Sequence, residues 1–467
     1  MAFSNMHEVL RAGGGAFTPA IFQGQEIKRL VEGALDDTAS WHQRHCSLQA
    51  PLVMSTVLAM SLFRSSSITN VFKRVLDAIR GGKDVCLKDV TPEALYKARG
   101  RLGWKPLQHV ARAIGQRGAG SEPTFFGFIP YAMDGVTMDV PNTPENETEF
   151  GRQLGSRGDA AFPQIKGVGL MHVDTHIFVD CVWGAYNSSE LDGADLLLHN
   201  LDLRHVVFLD RRYTKVALWF NIVDSGTHLV HRLSASFEPK KVCRLGTGDG
   251  LIEVERWVQL PRKPGKGRCK RRLEKRNFRL IQYQIGDCES VQLLTDLLDP
   301  VAYPAREIAV GYHLRWEIEI ALDEGKTHLQ TVMHGTLHTA FRSQTPAGIY
   351  QEAWAMLATY NLVRGLMAES GKVHNIPPLE ISFVDTLEVI RLALPVLENA
   401  RPKQGVRLYR RMLRDIAACR LDRPRRPRWA PRVVKRKMSN FKLKRPGDDS
   451  VEYDYVGELR LVARRSR

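Results

Sequence analysis

Two carboxylates follow apolar runs that have the composition of β-strands. Asp134 lies at the end of the run FIPYAMDG, and Asp210 follows the run HVVFLD in the same way. An acid at the end of a hydrophobic strand is held firmly and still reaches solvent, so it can bind a ligand. Strands also commonly end in Asp because its side chain stabilises turns, so each residue alone is weak evidence for a site.

A third carboxylate stands in the segment GYHLRWEIEIALDEGKTHL, residues 311–329. Its apolar residues recur at helical intervals, and a helix over this segment would carry one narrow stripe of four polar side chains. These are Tyr312, Arg315, Glu319 and Lys326. Alternation between Leu314 and Leu322 also suits a strand, but the length of the pattern favours the helix. Taken alone, Arg315 and Glu319 can be an ordinary ion pair on a solvated helix, worth only about 0.3 kcal/mol.

Together, three carboxylates from two strand ends and one helix can perform hydrolysis. They can hold two hard cations about 4 Å apart, which activates an attacking oxygen and stabilises the leaving oxygen in phosphodiester cleavage. Ligation by oxygen alone favours Mg²⁺. Arg315 and Lys326 would then bind the phosphate backbone, and Tyr312 would add a hydroxyl contact.

The elements that position these residues change in character along the chain. Residues 1–120 are predicted to form a basic helical domain, and residues 121–237 alternate short strands with helices, which indicates a mixed sheet with helices on its faces. Residues 238–300 are predicted to be a β-rich insertion that carries the basic loop RKPGKGRCKRRLEKRNFRL. Helical patterns return over residues 301–397, and residues 398–467 form a basic C-terminal segment.

The charge of the chain points to a polyanionic partner. Its 467 residues carry a formal net charge of +16, and for such a balance nucleic acid is the default partner. The segment from Arg401 to Gly447 contains eighteen Lys or Arg and two Asp, so it alone accounts for the net charge. Its prolines at 424, 427, 431 and 446 predict an extended arm rather than a core element.

Cysteine usage and hydropathy argue against other classes. The seven cysteines are scattered without a C-x-x-C pair, which predicts a reducing compartment and argues against a disulfide framework or a zinc ribbon. The most apolar stretch, residues 50–63, is too short to span a bilayer and is predicted to be a buried helix. We therefore expect no membrane partner.

The order Y-x2-R-x3-E-x6-K, at residues 312, 315, 319 and 326, resembles the signature of the DDE transposases of bacterial insertion sequences, of the insertion-sequence-four type. The segments MDGVTMDVPNTPEN, FLDRRYTKVALW and YPAREIAVGYHLRWEIEIALDEGKTHL are similar to the three catalytic segments of that family. TPEALYKARGRLGWKPL resembles its N-terminal domain, and PRVVKRKMSNFKLKRP resembles its basic tail. The resemblance covers nearly the whole chain.

This resemblance implies an RNase H-like mixed-sheet catalytic core, interrupted by the β-rich insertion, with an N-terminal helical DNA-binding domain and a basic C-terminal arm. It implies that Asp134, Asp210 and Glu319 are the catalytic triad that binds two Mg²⁺ ions, for which Mn²⁺ is a possible substitute. It also implies that Tyr312, Arg315 and Lys326 contact the DNA of the element ends.

The same resemblance implies the reaction and the assembly. A homodimer would hold two inverted-repeat ends of double-stranded DNA, hydrolyse the DNA there to free a 3′-hydroxyl, and direct that hydroxyl at target DNA. The enzyme would work in the bacterial cytoplasm, associated with the nucleoid. Two alternatives stay open: a metal-dependent nuclease that cuts without joining, and a transposase-derived DNA-binding protein without catalysis.

Three further features of the sequence raise expectations of their own. Arg212 replaces the glycine that the family usually has after the second aspartate, which would alter the turn if positive φ is needed there. Trp257 lies in the insertion, where some relatives use a tryptophan on hairpinned DNA, but we expect a buried core residue. The alternating His172, Asp174 and His176 can mimic a metal site on one face of a strand, although a structural role is the expectation.

Overall fold

The computed structural model describes residues 25–41, 48–80, 90–154, 158, 160–234, 237–239, 242–259, 271–329, 341–398, 400, 402–421, 428–429, 433–434, 442–443, 445 and 453–463. These residues combine helices and strands in a mixed α/β fold. They divide into two compact units. The first unit comprises Met1–Ser121, Asp134–Gly193 and Glu317–Asp422, and the second comprises Glu122–Met133, Ala194–Trp316 and Arg423–Arg467.

Helices dominate the N-terminal part, and strands follow. The N-terminal helices are α1 (Gln25–Asp37), α2 (Ala50–Leu62), α3 (Ile68–Arg80), α4 (Pro92–Leu102) and α5 (Lys105–Gly118). Next come β1 (Ile129–Asp139), α6 (Pro144–Phe150), β2 (Gln164–His172), β3 (Phe178–Ala185), α7 (Glu190–Leu197), β4 (His205–Leu209), α8 (Val216–Asp224) and β5 (His228–Arg232).

The second half of the chain begins with strands and continues with helices. The strands are β6 (Val242–Gly246), β7 (Asp249–Gln259), β8 (Arg271–Ile285) and β9 (Val291–Thr295). The helices are α9 (Ala305–Tyr312), a 3₁₀ turn at His313–Arg315, α10 (Trp316–His328), α11 (Pro346–His374), α12 (Phe383–Glu398) and α13 (Pro402–Ala418). Short elements end the chain: β10 (Arg428–Trp429), β11 (Val433–Val434), β12 (Lys442–Leu443), β13 (Tyr453–Asp454), α14 (Tyr455–Glu458) and β14 (Leu459–Leu461).

The long helix α11 forms the core of the first unit. Most of its side chains are buried, including Trp354 and Arg364, because it packs against α2, α5, α12 and α13. Helix α2 is also buried along nearly its whole length, which confirms the prediction for residues 50–63. Helix α4 begins with a side-chain cap, since the Thr91 hydroxyl accepts a hydrogen bond from the Ala94 backbone N–H and proline follows the cap.

The strands of the first unit are β2, β3 and the residues of β1 that follow Met133. Strands β2 and β3 pair antiparallel, with Ile165 opposite Ala185, and β2 lies between β3 and β1. Helix α5 packs against β3.

The second unit contains a mixed sheet. The first residues of β1 pair parallel with β4, with Ile129 opposite His205, and β4 pairs parallel with β5. Strands β5, β9, β8, β7 and β6 then follow in antiparallel order. Near the C-terminus, β14 pairs with β8. Parallel pairs next to antiparallel ones confirm the prediction of a mixed sheet.

The C-terminal segment differs in part from the predicted arm. Residues 402–418 form the helix α13, whose apolar side packs against α11 and α12, and Leu459 of β14 is buried. The prolines that predict an arm all follow residue 423, so they do not interrupt α13. Much of the remaining segment, and residues 262–270 of the basic loop, lie outside the described residues. Residues 271–280, predicted as part of that loop, belong instead to strand β8. Within the described residues, no helix has the length and apolarity needed to cross a bilayer.

Candidate functional site

Asp134 lies within β1 rather than at its end. The strand continues to Asp139, because Val136 and Met138 keep an apolar side chain at every second position. The expectation of a strand end was therefore wrong. Asp134 is half-buried, and one of its carboxylate oxygens accepts a hydrogen bond from the Gly135 backbone N–H at 2.8 Å.

Gly135 allows the close approach of another side chain beside Asp134. A Cβ at this position would lie only 2.9 Å from the carboxyl carbon of Glu190, so a larger residue would displace that side chain. Glu190 in turn lies 3.9 Å from the Lys166 ammonium. Sequence reasoning missed Glu190, since only the folded chain brings helix α7 next to β1.

Asp210 follows β4 directly, as predicted. Its carboxylate accepts a hydrogen bond from the Arg212 backbone N–H at 2.7 Å, and its carbonyl accepts one from the Tyr213 N–H at 3.2 Å. These contacts fix the turn that presents the half-buried Asp210 side chain. Among the described residues, positive φ outside glycine occurs at Ala39, Phe126, His176 and Asn375. Arg212 is not among them, so its replacement of the family's glycine causes no backbone strain.

Tyr312 contacts the residue that precedes Asp210. It is the last residue of α9 and only 2% exposed, and its hydroxyl donates a hydrogen bond to the Leu209 carbonyl at 3.2 Å. Burial raises the pKa of Tyr312 to about 12, so the phenol stays protonated and can donate at neutral pH. Tyr312 therefore fixes the end of the strand that leads to Asp210.

Arg315 is also buried, at 4% exposure, in the 3₁₀ turn that follows α9. Its guanidinium lies 5.2 Å from the centroid of the Trp316 ring, which is within cation–π range. In the same turn, His313 stacks on Tyr455 at 4.4 Å, and burial lowers the pKa of His313 to about 3, helped by the Arg232 and Arg315 charges. The imidazole is thus neutral.

The four signature residues do not form one solvated stripe. Tyr312 and Arg315 are buried, whereas Glu319 and Lys326 on α10 are exposed. The predicted continuous helix is interrupted by the 3₁₀ turn, which has about 3.0 residues per turn instead of 3.6 and so changes the direction of successive side chains. The prediction of one stripe is therefore wrong, and the predicted roles of the four residues remain predictions.

Helix α10 packs against the part of β1 that carries Asp134. The Lys326 ammonium donates a hydrogen bond to the Thr137 carbonyl at 3.2 Å. Val136 of β1 and Gly325 of α10 line the same small cavity. Within the first unit, the structure therefore brings the helix of Glu319 to the strand of Asp134.

A buried network holds α10 from another side. The His176 ring, fully buried, lies 2.7 Å from a Glu317 carboxylate oxygen and 3.9 Å from Glu324. Glu324 forms an ion pair with Arg364 and accepts a hydrogen bond from the Tyr360 hydroxyl at 2.9 Å. Burial alone would raise the pKa of Glu324, but the charge of Arg364 and the contact with His176 outweigh it and lower the pKa to about 2.

His176 has a structural role, as expected, and it does not share a strand face with His172. Strand β2 ends at His172, whose ring contacts the Thr175 hydroxyl at 2.8 Å. His176 adopts φ of 59°, a left-handed conformation that costs a non-glycine residue free energy. Sequence reasoning missed its partner Glu317, since the two residues are far apart along the chain.

A metal site requires several donor side chains that lie close together. Across the part of the chain that is described, no group of three or more His, Cys, Asp or Glu side chains is arranged to hold a metal ion. Asp134 and Glu319 belong to the first unit and Asp210 to the second, so the triad as one site stays a prediction. Its oxygen donors are those that a hard divalent cation prefers.

Trp257 is exposed, and the expectation of a buried core residue was wrong. Its exposed fraction is 65%. On β7, Ile252 and Val254 point into the core, and Trp257 lies in the alternate phase with Glu253. Since successive strand residues point to opposite faces, the phase of Trp257 was readable from the sequence.

Comparisons with known proteins agree with the signature. The transposase DDE domain family matches residues 129–362, and the insertion element 4 transposase N-terminal family matches residues 26–111. Transposase InsG for insertion sequence element IS4 of Escherichia coli (strain K12) is 27% identical over 87% of this chain and 89% of its own length. Putative transposase InsZ of the same strain is 23% identical over 47% of this chain and 78% of its own length.

A solved structure of the piggyBac transposase synaptic complex with hairpin DNA aligns with 86% of this chain and 78% of its own chain, at 11% identity. Its TM-score of 0.38 is too low to support a structural argument. The DDE domain match covers half of the chain and includes all six signature and aspartate positions. The chain therefore belongs to the DDE transposases of the insertion element 4 type, enzymes that act on DNA by phosphodiester hydrolysis and transesterification with divalent metal ions.

Proposed function

We propose that this transposase cuts DNA at the ends of its element in a Mg²⁺-dependent reaction and joins the freed 3′-hydroxyl ends to target DNA. One observation carries the proposal: three carboxylates stand within the matched DDE domain in the required order, on β1, after β4 and on α10. In the hydrolytic step, water attacks a phosphorus and the 3′-oxygen leaves as a hydroxyl. In the joining step, that hydroxyl attacks a target phosphorus and displaces another 3′-oxygen.

Asp134, Asp210 and Glu319 are the residues that would hold the two Mg²⁺ ions, for which Mn²⁺ can substitute. When bound, such ions activate the attacking oxygen and stabilise the leaving oxygen. The chain supplies firm supports for these donors. The Asp210 carboxylate is oriented by the Arg212 N–H, and the preceding carbonyl is held by Tyr312.

The residues that would contact DNA are Tyr312, Arg315 and Lys326. Lys326 is exposed at the end of α10 and can bind a phosphate as it stands. Tyr312 and Arg315 are buried, so their contact with DNA requires the turn at His313–Arg315 to rearrange when the complex forms.

The larger organisation is proposed from the same family membership. Residues 121–237 and 301–397 would form an RNase H-like core, residues 238–300 its β-rich insertion, residues 1–120 a DNA-binding domain and residues 398–467 a basic arm. Two copies would hold two inverted-repeat ends, in the bacterial cytoplasm and associated with the nucleoid. The antiparallel strands β6 to β9 support the insertion.

The direct test replaces Glu319 with glutamine, which keeps the size of the side chain and removes its charge. We expect Glu319→Gln to lose Mg²⁺-dependent cleavage of a duplex that carries the element end, by at least about 10³-fold. Asp323→Asn is the matched control, because Asp323 is exposed on the same helix. It should cleave like the unmodified protein. Equal cleavage by Glu319→Gln and the control would reject the triad.

Strand joining separates a transposase from a plain nuclease. The precleaved end is mixed with a supercoiled plasmid and Mg²⁺, and joined products are separated on a gel. We expect joined products from the unmodified protein and none from Asp210→Asn. Cleavage of an uncut end duplex by the unmodified protein, without joined products in this assay, would support the nuclease instead.

A further inference from the structure

The solvent side of α13 is strongly basic. Five cationic side chains lie on it, all exposed: Lys403, Arg407, Arg410, Arg411 and Arg414. Their separations of three and four residues place them on neighbouring turns of one helix face. Asp415 lies 3.6 Å from Arg411, and its single charge leaves this face with a large positive excess. We call these five side chains the α13 basic face.

The opposite side of α13 is committed to the protein core. Tyr409, Met412, Leu413 and Ile416 are buried, and the helix packs against α11 and α12. Two hydrogen bonds anchor it: the Tyr409 hydroxyl donates to a Glu369 carboxylate oxygen at 2.6 Å, and the Ser370 hydroxyl donates to the Leu413 carbonyl at 2.6 Å. The basic face is therefore held rigidly.

A basic amphipathic helix can bind either a membrane surface or a phosphate-bearing polyanion, and the packing of α13 favours the polyanion. Insertion into a membrane surface requires a free apolar side, but on α13 that side is buried in the first unit. The side of α13 that is accessible to a partner carries a row of cations about 16 Å long, from residue 403 to residue 414, at a rise of 1.5 Å per residue. Guanidinium groups on such a row match phosphate oxygens in charge and geometry.

We propose that the α13 basic face binds the phosphate backbone of double-stranded DNA, independently of sequence. This proposal rests on the proposed function and extends it. It adds a second DNA-binding surface, on a different helix, to the contacts made by the signature residues. Contacts to phosphate position a protein on a duplex without reading bases. The face therefore binds duplexes with and without element ends.

The test uses the full chain with three substitutions on this face, Arg407→Gln, Arg410→Gln and Arg414→Gln. Glutamine has a helix propensity similar to that of arginine, so α13 should be retained. The control variant carries Arg204→Gln, Arg244→Gln and Lys372→Gln, which are exposed positions outside both α13 and the proposed N-terminal DNA-binding domain. Both variants lower the net charge by the same amount, so they separate the α13 basic face from the overall charge.

Binding is measured by fluorescence anisotropy with a labelled 30-base-pair duplex of unrelated sequence, without divalent metal, over a range of NaCl concentrations. We expect the basic-face variant to bind at least about tenfold more weakly at low salt. The slope of log Kd against log salt concentration should fall by up to about three units, one for each lost phosphate contact. The control variant should retain most of the affinity and slope.

Two results would overturn the proposal: equal losses in the two triple variants, or unchanged binding by the basic-face variant. A third variant with lysine at the same three positions keeps the charge. It should restore the salt slope, and its failure to do so would also reject a phosphate contact. Far-ultraviolet circular dichroism checks that all variants are folded. Since this assay needs no metal, its failure is distinguishable from a failure of Mg²⁺-dependent cleavage, which tests the proposed function.

Discussion

The first and second halves of the signature differ in their surroundings. Tyr312 and Arg315 are buried side chains of the second unit, and Tyr312 fixes the strand end before Asp210. Glu319 and Lys326 are exposed side chains of the first unit. A motif that is continuous in sequence thus combines residues that support the chain with residues that face solvent.

Spacing alone therefore does not assign one role to all residues of a motif. The exposed pair depends on α10, and α10 depends on contacts at Glu317 and Glu324. The buried pair depends on its own hydrogen bonds and on ring contacts. Substitutions of the residues that hold α10, or of the buried pair, should therefore lower the stability of the fold. Substitutions of the exposed pair should instead weaken DNA binding or cleavage.

The largest effect is expected from Arg364→Met. Arg364 is fully buried and forms an ion pair with Glu324, so its removal leaves a buried carboxylate without its cation. Breaking such a pair costs about 3–5 kcal/mol. Chemical denaturation at pH 7 measures the free energy of unfolding. A loss below about 1 kcal/mol would show that α10 does not depend on this pair.

The same pair predicts how stability depends on pH. The pKa of Glu324 lies near 2 in the folded protein against an ordinary value of 4.5, so its carboxylate stabilises the fold above pH 4.5. This contribution is lost as the pH falls towards 2. Denaturation curves across this range should show the loss, and Glu324→Gln should show a smaller one.

How much of this was predictable varies from residue to residue. The position of Asp210 after a strand followed from one apolar run with a turn residue at its end. The depth of Asp134 within β1 was also readable, since Val136 and Met138 continue the alternation. Trp257 lies an even number of positions from Glu253 and so points to the same face of the strand, which indicates an exposed side chain. These features depend on local periodicity, which the sequence contains.

Other features depend on contacts between distant residues. Nothing near His176 indicates that its ring meets Glu317, and the burial of Tyr312 requires β4 beside it. The helix α13 is an intermediate case. Its residues Tyr409, Met412, Leu413 and Ile416 have helical spacing, but the excess of cations and the later prolines favoured an arm.

The second largest effect is expected at His176. His176→Ala removes the contact with Glu317 and places alanine at φ near 59°, for a combined cost of about 2–3 kcal/mol. His176→Asn is the matched comparison, because Asn tolerates the left-handed conformation better than Ala. It should cost less by about 0.5–1 kcal/mol. Equal costs in thermal denaturation would show that backbone conformation contributes nothing at this position.

A smaller effect is expected from Tyr312→Phe. This change removes one hydroxyl and the hydrogen bond to the Leu209 carbonyl, which should cost about 1 kcal/mol. The melting temperature measures it. Tyr96→Phe is the control, since Tyr96 is exposed on α4 and should leave the melting temperature unchanged. Equal shifts in the two variants would contradict a supporting role for the Tyr312 hydroxyl.

The smallest effect on stability is expected at the exposed end of the signature. Lys326→Gln should change the free energy of unfolding by less than about 0.5 kcal/mol, because the ammonium is exposed and its bond to the Thr137 carbonyl competes with water. Its effect should appear on end DNA instead, as a decrease of about one unit in the salt slope of binding. Arg315→Gln should lower both the free energy of unfolding and the salt slope of DNA binding, since Arg315 is buried in the protein without DNA and would contact DNA only in the complex. If both variants changed stability alone, DNA contact by this part of the signature would be rejected, and the contrast between its halves would be one of burial only.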